Sequence, residues 1–288
     1  MNRAYKQVIK IKGAAGIDGM ECNDLFSHLK VNGHQLRESI RNQSYKPMPV
    51  KRVEIPKDNG SKRKLGIPTV TDRMIQQAAA QVLTPIYERK FHTNSYGFRP
   101  GKSAQQAVLK AAEYMNEGYN WVVDIDLEKF FDTVEHDKMI SILNKEIKDG
   151  KTLSLIRKFL ASGVMVGEQM EETEIGTPQG GNISPLLANI LLNELDWELE
   201  SRGLRFVRYA DDCIILVRSE KAATRVMKSV TKYIENVLRL KVNKDKSRIG
   251  RPTEIQYLGF AFYYQFQEKK HRMKVPKKSL DKVMKKVR

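Results

Sequence analysis

The sequence predicts an α+β fold in which an antiparallel sheet packs on helices. Three observations predict it. The part before Trp121 is helix-rich and poor in strands, whereas strands and helices mix after it. Arg205 to Val217 is an apolar, strand-like run broken only by Tyr209-Ala210-Asp211-Asp212, so it reads as two strands meeting at a turn. No internal repeat or low-complexity tract suggests a solenoid or fibrous alternative. A chain of 288 residues suits one large globular unit or two subdomains, and its 41% hydrophobic content is enough for a real core.

Residues 1–46 read as helical stretches separated by turns, with Gly13, Gly16 and Gly19 in a loop. Their spacing is not a dinucleotide fingerprint, and no strand pattern precedes them. Residues 50–56 and 62–67 read as two strands joined through Asp58-Asn59-Gly60, because Asn-Gly favours a tight hairpin turn. Lys51, Arg52, Lys57, Lys62, Arg63 and Lys64 line this hairpin, which could fold over phosphates or form a charged, solvated edge. From Thr71 to about Lys90 the stripe Met74, Ile75, Ala78, Val82 and Ile86 predicts a helix. Ser103 is placed to cap another that runs to about Tyr114.

Gly97 to Ser103 is not a phosphate-binding P-loop, having three residues between its glycines where four are required. Trp121 to Asp126 reads as a buried strand, with Asp124 and Asp126 on one face. His136 to about Ala161 is predicted helical, with a break near Asp149-Gly150. Gly176 to Gly181 is a loop, and Ser184 with Pro185 opens an amphipathic helix. A further helix is expected over 220–238, then short strands around Tyr257-Leu258-Gly259-Phe260 and a basic helix from Ser279. That last helix meets no closing cap, which leads us to expect further chain beyond it.

The formal net charge is +17, an excess that points to a polyanionic partner. Residues 265–288 hold ten Lys and Arg against Glu268 and Asp281, so their net +8 is nearly half of the excess. No apolar run of membrane-spanning length and no secretory signal is present. Two cysteines, Cys22 and Cys213, make neither a disulfide framework nor a zinc pattern, which fits a reducing cytoplasm.

Neighbouring residues of a strand point to opposite faces, so Asp211 and Asp212 approach one site only if the chain turns there. Two adjacent like charges are costly unless a cation neutralises them. If the strand ending at Asp126 is a neighbour in the same sheet, three carboxylates converge. Hard oxygen donors without nearby His or Cys favour magnesium over zinc, and two such ions suit phosphoryl transfer. By themselves these acids read first as surface acids at loop ends and second as a metal site.

At this point the motifs carry a resemblance. Tyr209-Ala210-Asp211-Asp212 resembles the reverse-transcriptase signature, and Asp126 with Phe131 five residues later resembles the family's first catalytic motif. Gly176 to Asn189 resembles the bacterial form of its nucleotide-binding loop and helix. Lys64-Leu65-Gly66-Ile67-Pro68 with Asp72-Arg73, and Tyr96 to Gly101, resemble two finger motifs, and Tyr257-Leu258-Gly259 resembles the primer grip. These stand in family order over roughly residues 12–260. Within the superfamily, Ile17-Asp18-Gly19 and the long Pro-Gln-Gly-Gly…Leu-Ala-Asn motif resemble group II intron-encoded reverse transcriptases, the maturases.

The resemblance implies a right-hand polymerase fold, with helical fingers bearing a β-hairpin and a palm whose antiparallel sheet packs on helices. Fingers and an N-terminal extension fall at 1–118, the palm at 119–264 with part of 137–176 packing on the fingers, and the start of a truncated thumb at 265–288. It implies two Mg²⁺ ions on Asp126, Asp211 and Asp212, with Asp126 and Asp211 the principal ligands and Asp124 a rival. Phe131 becomes the steric gate against a ribose 2′-hydroxyl. Gln179 lies against the incoming dNTP, and Lys57 and Arg63 close over its triphosphate, with Lys62 and Lys64 as rivals. Lys246 reads first as a surface lysine and second as a neighbour of the leaving phosphate.

The implied partners are intron RNA and an RNA template with a DNA primer, in a bacterial cytoplasmic ribonucleoprotein and away from any membrane. Apolar finger surfaces leave a homodimer open. Alternatives are a reverse transcriptase of a bacterial defence or diversity-generating system, or an RNA-binding splicing factor with an unused polymerase core.

Overall fold

A computed structural model describes residues 2–56, 60, 62–173, 175–177, 180–277, 279–281 and 284. Along the chain run α1 (Asn2–Ile11), α2 (Leu25–Arg41), β1 (Val50–Pro56), β2 (Lys62–Ile67), α3 (Val70–Glu88), α4 (Ala104–Asn116), β3 (Trp121–Ile125), α5 (Phe130–Thr133), α6 (His136–Asn144), α7 (Gly150–Leu160), β4 (Val164–Val166) and β5 (Gln169–Glu171). There follow α8 (Ser184–Ser201), β6 (Arg205–Tyr209), β7 (Asp212–Val217), α9 (Glu220–Asn236), β8 (Arg248–Gly250), β9 (Gln256–Tyr257), β10 (Phe260–Gln265) and β11 (Lys270–Lys274). No helix among the described residues is long and apolar enough to cross a membrane.

The chain forms two compact units, residues 1–90 with 129–190 and residues 91–128 with 191–288. This division differs from the expected boundary at 118. Residues 91–118 group with the later strands, because Ala107, Val108, Ala111, Ala112 and Met115 of α4 pack with Val207, Ile214 and Leu216 of β6 and β7. Residues 129–190 group with the N-terminal part.

In the first unit Ala4, Val8, Leu25, Val70 and Met74 form a core cluster that holds α1, α2 and α3 together. Thr69 caps α3 by accepting the Asp72 N–H, which satisfies one of its orphan donors. The expected stripe of α3 is corrected at its far end. Val82 is 67% exposed and Ile86 43%, whereas Leu83 and Tyr87 are buried. The inward face therefore runs through Met74, Leu83 and Tyr87. β1 and β2 pair antiparallel from Lys51 opposite Ile67 to Pro56 opposite Lys62, over the spans that the alternation predicted. β4 then adds to β1 in parallel and carries β5, neither of which was expected from the sequence.

The second unit is built on a four-stranded antiparallel sheet in the order β6-β7-β3-β8. β8 was not expected, and it gives β3 a partner on both sides. Helix α9 covers this sheet through Ala223, Val226, Val230 and Ile234, which recur at helical spacing and are buried. A second, three-stranded sheet (β9, β10, β11) continues the chain through residues 256–274. The basic helix begins at Lys277, two residues before the expected Ser279.

Candidate active site

Two strands and a two-residue turn place the signature acids. β6 and β7 pair with Tyr209 opposite Asp212, leaving Ala210 and Asp211 as the turn. Ala210 is buried and has φ +56°, a left-handed conformation that glycine usually supplies in such turns. Two contacts hold it there. The Arg208 guanidinium donates to the Ala210 carbonyl at 2.8 Å. From the other side Gly97 lies against the turn backbone, so close that a Cβ on it would stand 2.2 Å from the Ala210 nitrogen.

Arg208 is fully buried and paired with the equally buried Asp196, through Nε to Oδ1 at 2.7 Å and Nη2 to Oδ2 at 2.5 Å. It also donates to Ser95 Oγ at 2.8 Å. The segment carrying Ser95 to Gly97 docks along β6, where the Arg208 N–H donates to the Asn94 carbonyl and the Tyr96 N–H to the Arg208 carbonyl. Tyr96-Gly97, read from sequence as part of a finger motif, thus buttresses the acid-bearing turn.

β3 is the neighbour of β7, with Ile125 opposite Cys213. Continuing that register by one residue sets Asp126 opposite Asp212. The backbone of Asp126 is fixed by the loop before β8: its N–H donates to Ser247 Oγ at 3.0 Å, and its carbonyl accepts the Asn243 N–H at 2.9 Å. The same loop folds on itself because the Asn243 carboxamide accepts from the N–H groups of Asp245 and Lys246. This brings Lys246 Nζ to 3.7 Å from Asp126 Oδ1. Asp124, the rival on the same face, is engaged by Arg248 Nε at 3.4 Å.

The acids share one electrostatic field. Asp212 is pushed up to about 6, first by burial of its carboxyl among protein atoms and then by the charges of Asp211, Asp124 and Asp126, while Lys246 opposes. Its side chain still reaches solvent, so the crowding is around the carboxyl rather than over it. Asp124 is raised too, first by burial and then by Asp126, against the pull of Arg248. Among the described residues no three His, Cys, Asp or Glu side chains are gathered closely enough to hold a metal ion as they stand. The donor chemistry nevertheless fits a hard divalent cation: oxygen donors only, carrying mutual repulsion that such an ion would relieve.

Tyr257 is buried, and its hydroxyl donates to the carbonyls of Val207 (3.2 Å) and Asp212 (3.4 Å), tying the two strands of the hairpin. Burial, and then the nearby Cys213 and Asp212, hold this hydroxyl well above its usual pKa. Leu258 and Gly259 form the turn between β9 and β10, both with positive φ.

The remaining predicted residues belong to the first unit. Phe131 is half-buried, stands edge-on to Phe130 with ring centroids 5.1 Å apart, and accepts the Thr177 N–H at its carbonyl. Gly176 is stitched to the same segment, its N–H donating to Val134 and its carbonyl bonded to the His136 ring at 2.7 Å. Gly180 lies against β2, where a Cβ would stand 2.4 Å from the Gly66 carbonyl oxygen. The structure therefore brings Gly176 and Thr177 to Phe131, and Gly180 to the Lys64–Pro68 motif. Arg63 is exposed on β2, opposite Ile55. Lys57 and Gln179 lie outside the described residues.

Sequence reasoning missed Asp196, Asn243 and Ser247, and read Gly97 only as part of a finger motif. Arg208 was legible only as a strand residue; its signal was an arginine between Val207 and Tyr209, inside the strand rather than at its exposed start like Arg205. Asp196 was legible as a lone acid on the buried face between Leu192, Leu195 and Leu199.

Residues 55–262 match the family described as reverse transcriptase (RNA-dependent DNA polymerase). Protein YkfC of Escherichia coli is 33% identical over 299 residues, covering 90% of this chain and 77% of YkfC. The group II intron-encoded protein LtrA of Lactococcus lactis is 35% identical over 324 residues, covering 89% of this chain and 54% of LtrA, so the chain spans about half of that relative's length. Telomerase from Candida albicans superposes with a TM-score of 0.58 at 14% identity, over 76% of this chain and 44% of that one, a likeness of fold alone. With an α+β fold and its acid pair at the tip of a hairpin, the chain belongs to the reverse transcriptase family.

Proposed function

We propose that this chain carries the fingers and palm of an enzyme that copies RNA into DNA, and that the whole protein binds the intron RNA that encodes it and assists its splicing and mobility. The observation that carries the catalytic reading is the register that sets Asp126 opposite Asp212 at one end of β3 and β7, beside the Ala210–Asp211 turn. The first unit supplies most of the fingers and the second most of the palm.

The reaction is attack of a primer 3′-hydroxyl on the α-phosphate of a dNTP. A new phosphodiester bond forms, the bond to pyrophosphate breaks and the hydroxyl loses its proton. Asp126 and Asp211 would be the principal ligands of two Mg²⁺ ions, with Asp212 as the third carboxylate. When bound, such ions lower the pKa of the attacking hydroxyl and stabilise charge on the leaving group. The protein's own share is positioning and charge. Arg208, Gly97 and Tyr257 fix the turn, Asn243 and Ser247 fix Asp126, and Lys246 offers a cation beside it. Lys57 and Arg63 clamp the triphosphate, Arg by a fork of donors and Lys as a point charge. Gln179 packs on the nucleotide, Phe131 excludes the ribose 2′-hydroxyl, and Tyr257-Leu258-Gly259 grips the primer. The ribonucleoprotein works in the bacterial cytoplasm.

The test is primer extension on an RNA template with Mg²⁺, comparing the wild type with Asp211→Asn. The expected result is extension by the wild type and its loss, by a hundredfold or more (~3 kcal/mol), in the variant. Equal extension by both would refute the catalytic assignment.

A further inference from the structure

Helix α9 carries a second feature besides its buried face. Lys221, Arg225, Lys228 and Lys232 are all exposed, at spacings of four, three and four residues. At 3.6 residues per turn these positions fall within a sector about 60° wide, centred opposite Ala223, Val226, Val230 and Ile234, and they extend over about 16 Å of axis. Among the described residues no acid pairs with any of the four. Of the helix's two acids, Glu220 lies at its start and to the side of the stripe, and Glu235 follows one turn beyond Lys232, about 20° outside the sector. Several other surface cations of the second unit have an acid partner, as Lys110 has Glu113, Arg202 has Glu198, Lys241 has Glu128 and Arg272 has Glu268.

A run of charge on a helix is most often only a solvated face. Here three details oppose that reading: a single sign, a common phase, and no acid partner for any of the four among the described residues. The topology sets this stripe apart from the acids. α9 follows the end of β7 remote from Asp212 and lies on the sheet by its apolar face, so its cations point away from the sheet. That apolar face is already used, which argues against an interfacial membrane helix, since such a helix must sink its apolar side into lipid.

We infer that the Lys221–Arg225–Lys228–Lys232 face of α9 is a docking surface for the phosphate backbone of RNA, separate from the template held at the acids. The inference rests on the proposed RNA-copying function for the identity of its partner. Its contacts are sequence-independent: four cations along 16 Å can each neutralise a phosphate of one strand, releasing counterions.

The test uses the whole chain and a structured RNA of mixed sequence, with binding read by fluorescence anisotropy at several salt concentrations without nucleotide. The reading therefore does not depend on whether the chain polymerises. One variant replaces the four stripe residues by Gln. A control with the same change in formal charge replaces the acid-paired Arg41, Lys110, Arg157 and Arg272 by Gln. Both sets are exposed or rim residues, and circular dichroism checks that each variant folds. The expected result is at least tenfold weaker binding by the stripe variant at low salt, with the slope of log affinity against log salt shallower by roughly 3, about 0.7–0.9 for each lost contact. The control is expected to lose less than threefold. Equal losses in both variants would mean net charge only and would overturn the inference. So would a stripe variant that keeps its RNA affinity but loses binding to phosphatidylserine vesicles.

Discussion

Arg208 and Asp196 form a completely buried ion pair, one residue before the signature tetrapeptide, and the same guanidinium holds the Ala210 carbonyl at the tip of the hairpin. Removing one partner of such a pair strands a charge away from water, which costs about 3–5 kcal/mol, whereas an apolar replacement of both is often tolerated. Asp196→Asn is therefore expected to lower the unfolding free energy by about that amount. The double variant Asp196→Leu/Arg208→Met is expected to recover most of it. Because the double variant still lacks the tie to Ala210, its primer extension should stay well below wild type at a temperature where it is fully folded. Denaturant unfolding with extension assays on both variants separates the two roles. Wild-type extension by the double variant would confine Arg208 to stability.

Gly97 has no room for a side chain. The atoms that a Cβ would meet are the backbone of Tyr209 and Ala210, at 2.2 to 2.9 Å, and backbone cannot rotate aside as a side chain can. Gly97→Ala is expected to push the turn that carries Asp211 and to reduce extension at least tenfold, about 1.4 kcal/mol in the barrier, with a fall in melting temperature. Gly33 is the contrast. It lies within α2 and a Cβ there would meet only the Leu29 Cβ at 3.9 Å, so Gly33→Ala should raise stability by about 0.5–1 kcal/mol through helix propensity. Thermal melts of the two variants should move in opposite directions.

Much of the fold was legible because local chemistry decided it. β1 and β2 pair over the spans expected, Ser103 caps α4 as expected, and two acids in an apolar run forced the β6–β7 hairpin. What was not legible depends on partners distant in sequence. Strand β4 contacts β1 by a parallel pairing 114 residues away, Val50 with Val164, and three-residue strands carry too little alternation to be seen. The far end of α3 misled because Val82 and Ile86 continue a helical stripe that the tertiary fold turns outward. At the site the acids announced themselves, but the groups that hold them did not. Asn243 and Ser247 are ordinary polar residues of a loop until the sheet brings Asp126 beside them.

Asp72 gives a pH dependence that is separable from the proposed catalytic acids. Its carboxylate accepts from the Tyr45 hydroxyl (2.6 Å), the Thr69 hydroxyl (2.7 Å) and the Met48 N–H (3.2 Å). Burial outweighs these bonds and holds the carboxyl above its usual 3.8. A folded pKa above the unfolded one means that folding takes up a proton. Asp72's contribution is thus fully present below pH 3.8 and is lost as pH rises through the folded value. Asn cannot titrate. The stability of Asp72→Asn relative to wild type should therefore improve as pH rises from about 3.5 to 7, with most of the change above the unfolded pKa. Urea unfolding of both proteins across that range tests the sign. A relative stability that falls with pH would show that the hydrogen bonds, not burial, set the carboxyl.

Phe130 and Phe131 are adjacent in sequence but differ in environment, and the difference yields a test of the sugar gate. Phe130 is 3% exposed and belongs to the core, whereas Phe131 is half-buried with its backbone pinned to Thr177. Truncating a buried Phe costs about 3–5 kcal/mol in lost transfer energy and cavity, so Phe130→Ala is expected to destabilise strongly. Its ratio of deoxynucleotide to ribonucleotide incorporation should not change, because a ratio cancels the fraction of folded enzyme. Phe131→Ala should cost less stability and should lower that ratio by roughly 10–200-fold, the range that one steric contact in a pocket can supply. Competitive incorporation of dNTP against rNTP on the same primer-template measures both. If Phe131→Ala left the ratio unchanged, exclusion of the 2′-hydroxyl would have to lie with another residue, and Phe131 would be left as packing for the Gly176–Thr177 loop.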